Sequence, residues 1–175
     1  KYPQQLGPWS ELFRKWNYEM DGCIDPRVLR TCEKVSKLIR EAYENRDEAW
    51  LGKMKYRAIV WSCPAHYYAN FSNWLANCWG IDVLVEMESL NFTKPLETED
   101  KEEALRDLAR LYERMVMRRH TNGGYQNVVD ELWKQCEDWN AKLIIMYQNV
   151  ACKNMATVQG VLDDQGRGRG YDLIW

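Results

Sequence analysis

Two periods alternate along this chain. Apolar residues three and four apart, the spacing of a helix face, give way to short runs that are apolar at almost every position, as in strands buried on both faces. The first 50 residues carry only the helical spacing. In "SELFRKWNYEM" Ser10 is placed to cap, and Leu12, Phe13 and Trp16 share a face. Asp25 and Pro26 then open a second helix, with Val28, Leu29, Val35, Leu38, Ile39 and Ala42 on one side and Arg30, Glu33, Lys34 and Lys37 on the other.

After Gly52 the period changes. "YRAIVWS" (56–62) is a short β-branched run stopped by Cys63-Pro64, and "AHYYANFSNWLANCWG" (65–80) returns to helix and closes on Gly80. "IDVLVEM" (81–87) is a second strand, apolar on both faces, which calls for cover on both faces and hence a parallel sheet. A polar loop around Pro95 leads to a long helix from about Thr98, with Ala104, Leu105, Leu108, Leu111, Met115 and Val116 in phase. Gly123 and Gly124 interrupt it before a further helix, Tyr125 to Trp139. Strand three is "AKLIIMY" (141–147). A helix from about Lys153 to Asp164, a "GRGRG" segment expected to be a flexible loop, and strand four, "YDLIW" (171–175), complete the chain.

This order predicts an α/β fold: a doubly wound, flavodoxin-like, four-stranded parallel sheet with flanking helices and right-handed crossovers, preceded by a helical N-terminal segment. Residues 1–50 are expected to pack on or link to a missing preceding domain. Residues 51–175 form the α/β domain, and a chain stopping inside a strand suggests a piece of a longer polypeptide, truncated at its C-terminal end.

At 175 residues, 46% of them hydrophobic and with nine Trp, one ordinary core can be filled. A formal charge of −2 gives no basic footprint for nucleic acid or an anionic membrane. The N-terminus lacks the apolar stretch of a signal peptide, and no run approaches the roughly 20 apolar residues of a membrane span, so a soluble, cytoplasmic protein is expected. Six cysteines without a C-x-x-C pair, Cys23, Cys32, Cys63, Cys78, Cys136 and Cys152, read as reduced thiols, core filling being the default for each.

Parallel sheets bind ligands beyond the carboxyl ends of their strands. The first such end offers Ser62, Cys63 and His66, the second Glu86 and Glu88, the third Gln148, Asn149, Cys152 and Lys153. Cys152 stands where a strand hands over to a helix, and the N–H groups of a helix start together with Lys153 would stabilise its thiolate, suiting either a nucleophile or a metal ligand. His66 reads equally as a proton carrier beside Cys63 or as a helix-start residue bonded to backbone. Glu86 and Glu88 alternate along a strand and cannot pair as an acid/base couple. His120, after Arg118 and Arg119 at a helix end, is expected to do nothing chemical. There is no dinucleotide fingerprint, phosphate loop or nucleophile elbow. No local set of four cysteines exists to build a complete iron-sulfur site.

Taken together, "REAYENRDEAW", "YRAIVWSCP", "WGIDVLVE" and above all "AKLIIMYQNVACKNM" resemble the C-terminal domain of the benzoyl-CoA reductase and 2-hydroxyacyl-CoA dehydratase subunit family. The resemblance implies that Cys152 ligates a 4Fe-4S cluster whose other cysteines lie in a preceding domain. It implies a homologous second subunit, an ATP-hydrolysing activator that injects low-potential electrons, and an acyl-CoA substrate, so that the segment is not active alone. In the dehydratases an electron on the thioester leads to loss of a β-proton and hydroxide; in the reductases the aromatic ring is reduced. Where relatives often carry glycine after the first strand, this chain has "WSCPAH", which leaves the roles of Cys63 and His66 open. Ser62, Cys63, Gln148 and Asn149 are expected to bind substrate, with His66 as the catalytic residue. The aromatic-rich segments favour benzoyl-CoA reduction over 2-hydroxyacyl-CoA dehydration. A non-catalytic assembly subunit and a thiol enzyme using Cys152 as nucleophile are the alternatives.

Overall fold

The computed structural model describes residues 26–45, 53–61, 71–87, 99–148 and 152–175. In chain order the elements are α1 (Pro26–Asn45), β1 (Tyr56–Trp61), α2 (Phe71–Trp74), a π-helical turn (Leu75–Trp79), β2 (Ile81–Glu86), α3 (Lys101–Arg114), α4 (Val116–Asn122), α5 (Gly124–Asp138), β3 (Leu143–Met146), α6 (Lys153–Arg169) and β4 (Asp172–Ile174). The four strands form one parallel sheet in the order β2-β1-β3-β4, the doubly wound arrangement expected from the alternating pattern. By its internal contacts the chain divides into two compact units, Lys1–Ala58 with Ala65–Leu84, and Ile59–Pro64 with Val85–Trp175.

In the first unit, Gly80 joins a helix end to a strand start. It ends the π turn with its own N–H directed at Ala76 O and Leu75 O, while its carbonyl accepts from Lys55 N (2.7 Å) and Tyr56 N (3.0 Å). Its φ of +67° is left-handed, and a Cβ there would stand 2.6 Å from the Lys53 carbonyl oxygen. Gly170, φ +73°, shares the backbone conformation but has open space around the missing Cβ. Gly170→Ala is therefore expected to lose about 1 kcal/mol, the left-handed penalty alone. Gly80→Ala should lose about 2–3 kcal/mol, because backbone has to move as well. Urea denaturation of the two variants checks the difference. Cys78, expected in the core, is exposed on the π turn, where Trp79 is also exposed and meets Trp74 edge to face at 6.1 Å.

In the second unit, Ile59, Val60 and Trp61 are shielded completely or nearly so, as are Ile144 and Met146 of β3. Apolar side chains on both faces of each strand need helices on both faces, and each such burial contributes about 1.5–3 kcal/mol. α5 supplies Val128, Val129, Leu132, Trp133 and Cys136 from one stripe. β3 and β4 pair with Ile144 opposite Leu173, and Asp172 N donates to Lys142 O.

Three local expectations are corrected. The "GRGRG" segment is not a loop: α6 continues to Arg169 and ends at Gly170. Tertiary packing overrides the low helix propensity of its glycines. Gly166 is buried so closely that a Cβ would come within 2.4 Å of Leu173 Cδ1, and Arg169 lies over the Trp133 ring at 5.5 Å. The long helix expected from Thr98 breaks at Met115, whose ψ of 138° is extended, so that α3 and α4 are separate. Leu105, Leu108 and Met115, expected to face the core, are exposed, and the one buried residue of α3 is Asp107.

Candidate functional site

From β1 the chain moves to one side of the sheet to make β2 and then crosses to the other side to make β3. Such a reversal parts the loops that leave the two central strands, and the crevice beyond their carboxyl ends is where doubly wound folds bind ligands. Here that edge is defined by Trp61 at the end of β1 and by Met146, Tyr147 and Gln148 at the end of β3.

Cys152 is the N-cap of α6, with φ −85° and ψ 90°, and its carbonyl accepts the first helical bond, from Ala156 N at 3.2 Å. Its side chain makes no capping hydrogen bond and is half-buried. The thiol thus stands at the N-terminal, positive end of a 17-residue helix. Gln148 is half-buried on the same edge. Ser62, Cys63, His66 and Asn149 lie outside the described residues. Glu86, 3% exposed, ends β2, while Glu88 lies outside the described residues.

Cys136 has different chemistry. It is 1% exposed in the last turn of α5, and burial, helped by the neighbouring Glu137 charge and opposed by Lys142, pushes its thiol up to about 12. It stays protonated and fills space.

Sequence reasoning passed over His120, which the fold places against the end of β1. Its ring lies 5.8 Å from that of Trp61, and its side chain is 9% exposed. His120 Nε2 is 2.7 Å from Glu131 Oε2, and Arg119 Nη2 donates to Glu131 Oε1 at 2.7 Å. A carboxylate can only accept, so Nε2 carries the proton in this pair. Burial works to raise the Glu131 pKa, yet the His120 hydrogen bond and the charges of Arg119 and His120 hold it below the usual carboxylate value. Trp61 Nε1 and Arg119 Nε are buried without a hydrogen-bond partner among the described residues. The signal for this cluster is absent from local sequence, because α4 and α5 turn back on each other at Gly123-Gly124 and bring together residues 11 apart that share no helix face.

Among the described residues no helix is long and apolar enough to cross a membrane. Comparison with the curated proteins gives no match, and neither does comparison with the solved structures. The family model of the 2-hydroxyglutaryl-CoA dehydratase D-component matches residues 19–170, a span that includes β1, β2, β3 and Cys152, and this chain belongs to that family.

Proposed function

We propose that this chain is a subunit of an iron-sulfur enzyme acting on an acyl-CoA thioester, in which Cys152 contributes one thiolate to a 4Fe-4S cluster. The family supplies components of multi-subunit acyl-CoA dehydratases, which implies a partner subunit and an activator. The observation that carries the reading is the position of the Cys152 thiol: half-buried, uncapped, at the start of α6 on the carboxyl edge of a parallel sheet.

The donor set fits a shared cluster rather than a self-contained one. Among the described residues no group of three His, Cys, Asp or Glu could hold a metal ion, and the buried Cys136 is kept as a thiol. Cys152 is then one ligand, and the remaining thiolates come from outside the described residues. When bound, the cluster supplies single electrons at low potential. The chain's own part is to hold the sulfur in place, to exclude water with the apolar strand ends, and to orient the thioester beside Gln148, with Ser62, Cys63, His66 and Asn149 proposed on the same edge.

Dehydration of a 2-hydroxyacyl-CoA is the reading the family favours. Benzoyl-CoA reduction, suggested by the aromatic-rich segments, is the second, and the burial of Trp61 in the core removes one of the rings that would line a flat pocket. Anaerobically purified full-length protein with its partner subunit should contain iron and acid-labile sulfide. Cys152→Ser is expected to remove most of both and to abolish turnover while leaving the circular dichroism spectrum unchanged. Iron retained at the wild-type level in Cys152→Ser overturns the assignment. Protection of Cys152 from alkylation by an acyl thioester in iron-free protein would favour the thiol-enzyme alternative. Turnover of a 2-hydroxyacyl-CoA but not benzoyl-CoA, or the reverse, decides the branch.

A further inference from the structure

Four side chains gather beside the end of β1 that the reading above leaves without a task. Arg119 and His120 come from α4, Glu131 from α5 and Trp61 from β1, and all four belong to the second compact unit. Glu131 is the hub. Arg119 Nη2 reaches one of its oxygens and His120 Nε2 the other, each at 2.7 Å. The Arg119 bond already ties α4 to α5, and any amide could meet the second oxygen. What only histidine adds is a second ring nitrogen.

Because Nε2 carries the proton in the bond to Glu131, the neutral ring has its lone pair on Nδ1. Nδ1 makes no hydrogen bond among the described residues. A carboxylate on one ring nitrogen fixes the tautomer and offsets the positive charge gained when the other nitrogen takes a proton, which is the arrangement of a general base. Against the burial that disfavours its charge, the hydrogen bond from His120 and the charge of Arg119 keep Glu131 ionised.

Trp61 is the last residue of β1, and its ring lies 5.8 Å from that of His120. The imidazole therefore stands by the carboxyl end of a central strand, on the edge where the thioester is proposed to bind. Two donors of the same cluster, Trp61 Nε1 and Arg119 Nε, are buried with no acceptor among the described residues. Buried N–H groups are nearly always paired, so two unpaired ones close to a free imidazole nitrogen point to a bound group that brings oxygen acceptors.

We infer that His120 is the proton carrier of this site, taking through Nδ1 a proton from the acyl chain of the thioester, with Glu131 as its positioning residue and Arg119 holding Glu131. The inference rests on the proposed thioester function. In dehydration of a 2-hydroxyacyl thioester, Nδ1 takes a proton from the carbon next to the one that bears the hydroxyl. The C–H electron pair becomes the new carbon–carbon π bond, the C–O pair leaves with hydroxide, and the proton passes from Nδ1 to that hydroxide to give water. The reaction is redox-neutral overall.

The test uses the full-length protein with its partner subunit, purified anaerobically. His120→Gln keeps a donor for Glu131 and removes the base. It is expected to lower kcat for a 2-hydroxyacyl-CoA about a hundredfold or more, with KM, iron content and circular dichroism unchanged. Deuterium on the carbon that loses its proton should slow His120→Gln more than the wild type, since proton transfer becomes the slow step, an effect that a residue merely bracing α4 against α5 would not have. Without the activator no turnover occurs, and in that resting complex the nitrogen-15 signals of His120 should show Nε2 protonated and Nδ1 bare, a mixture of tautomers in Glu131→Gln, and a shift of the Nδ1 signal when an acyl-CoA is added. An iron-replete His120→Gln complex with wild-type turnover overturns the inference and leaves Cys152 its role. So does loss of iron from that variant, which would make His120 a structural support, and so does an Nδ1 signal that acyl-CoA fails to move. Iron absent from the wild-type complex would overturn the cluster reading instead, and the Nδ1 response would still decide whether His120 meets the thioester.

Discussion

Trp133→Ala is expected to lower the unfolding free energy by about 4 kcal/mol, a third or more of what a domain of this size holds in reserve. Trp133 is 3% exposed in α5 and stacks on Tyr171 with ring centroids 5.5 Å apart and planes 7° from parallel. Lys142 Nζ lies 4.5 Å from the Tyr171 ring and the Arg169 guanidinium 5.5 Å from the Trp133 ring, so each aromatic of the stack also carries a cation. Trp133 Nε1 donates to Gln165 Oε1 at 2.7 Å. These contacts tie α5, the end of α6 and the start of β4 together. Alanine removes the ring, opens a cavity beside Gly166 and leaves Gln165 without its donor. Trp133→Phe keeps most of the stack and loses the N–H, at a cost of about 1–1.5 kcal/mol. Urea unfolding should therefore rank wild type, Phe and Ala in that order with a wide last step, and the near-ultraviolet dichroism of Tyr171 should fade with the ring. A loss below about 1 kcal/mol for alanine would mean that the stack does not hold these elements together. Cys152 starts the helix whose other end this clasp anchors, so under the proposed function Trp133→Phe is expected to leave the iron content of the complex unchanged.

That clasp also marks the boundary between what was legible in the sequence and what was not. The strands were readable because parallel strands are apolar on both faces: "AIVW" and "LIIM" have no polar side to confuse with a helix, and both lie where expected. The position of Cys152 at a helix start was readable because helical spacing begins immediately after it. "GRGRG" was misread as a loop because its local propensity points away from helix, while the forces that make it helical come from Trp133 and Leu173, distant in sequence. In α3 the period correctly gave a helix with an apolar face, but periodicity does not say what that face meets, and it turned out to face solvent. The His120–Glu131 pair needed the turn between α4 and α5 before either residue had a partner.

Asp82→Asn should stabilise the fold at pH 8 and not at pH 4. Asp82 is the second residue of β2, at the amino end of the strand away from the candidate site, and is 3% exposed with Oδ2 lacking a hydrogen-bond partner among the described residues. Burial raises its pKa from 3.8 to about 6, against the opposing charge of Arg57. Below the unfolded value both states hold the proton and the residue costs nothing. As pH rises, the unfolded chain ionises first, and stability is lost until the folded carboxyl also ionises near 6, beyond which the loss is constant at roughly 3 kcal/mol or less. Asparagine cannot ionise, so it removes this dependence. It also deprives Arg57 of an anion and buries an amide, which leaves a net gain of about 1–2 kcal/mol above pH 6. Unfolding free energies measured from pH 4 to pH 8 should therefore fall for the wild type and stay flatter for Asp82→Asn, with the curves crossing inside that interval. If the variant becomes the less stable protein by a margin that grows from pH 4 to pH 8, the ionised carboxylate is being held by Arg57 more strongly than burial disfavours it, and the direction assigned to Asp82 is wrong.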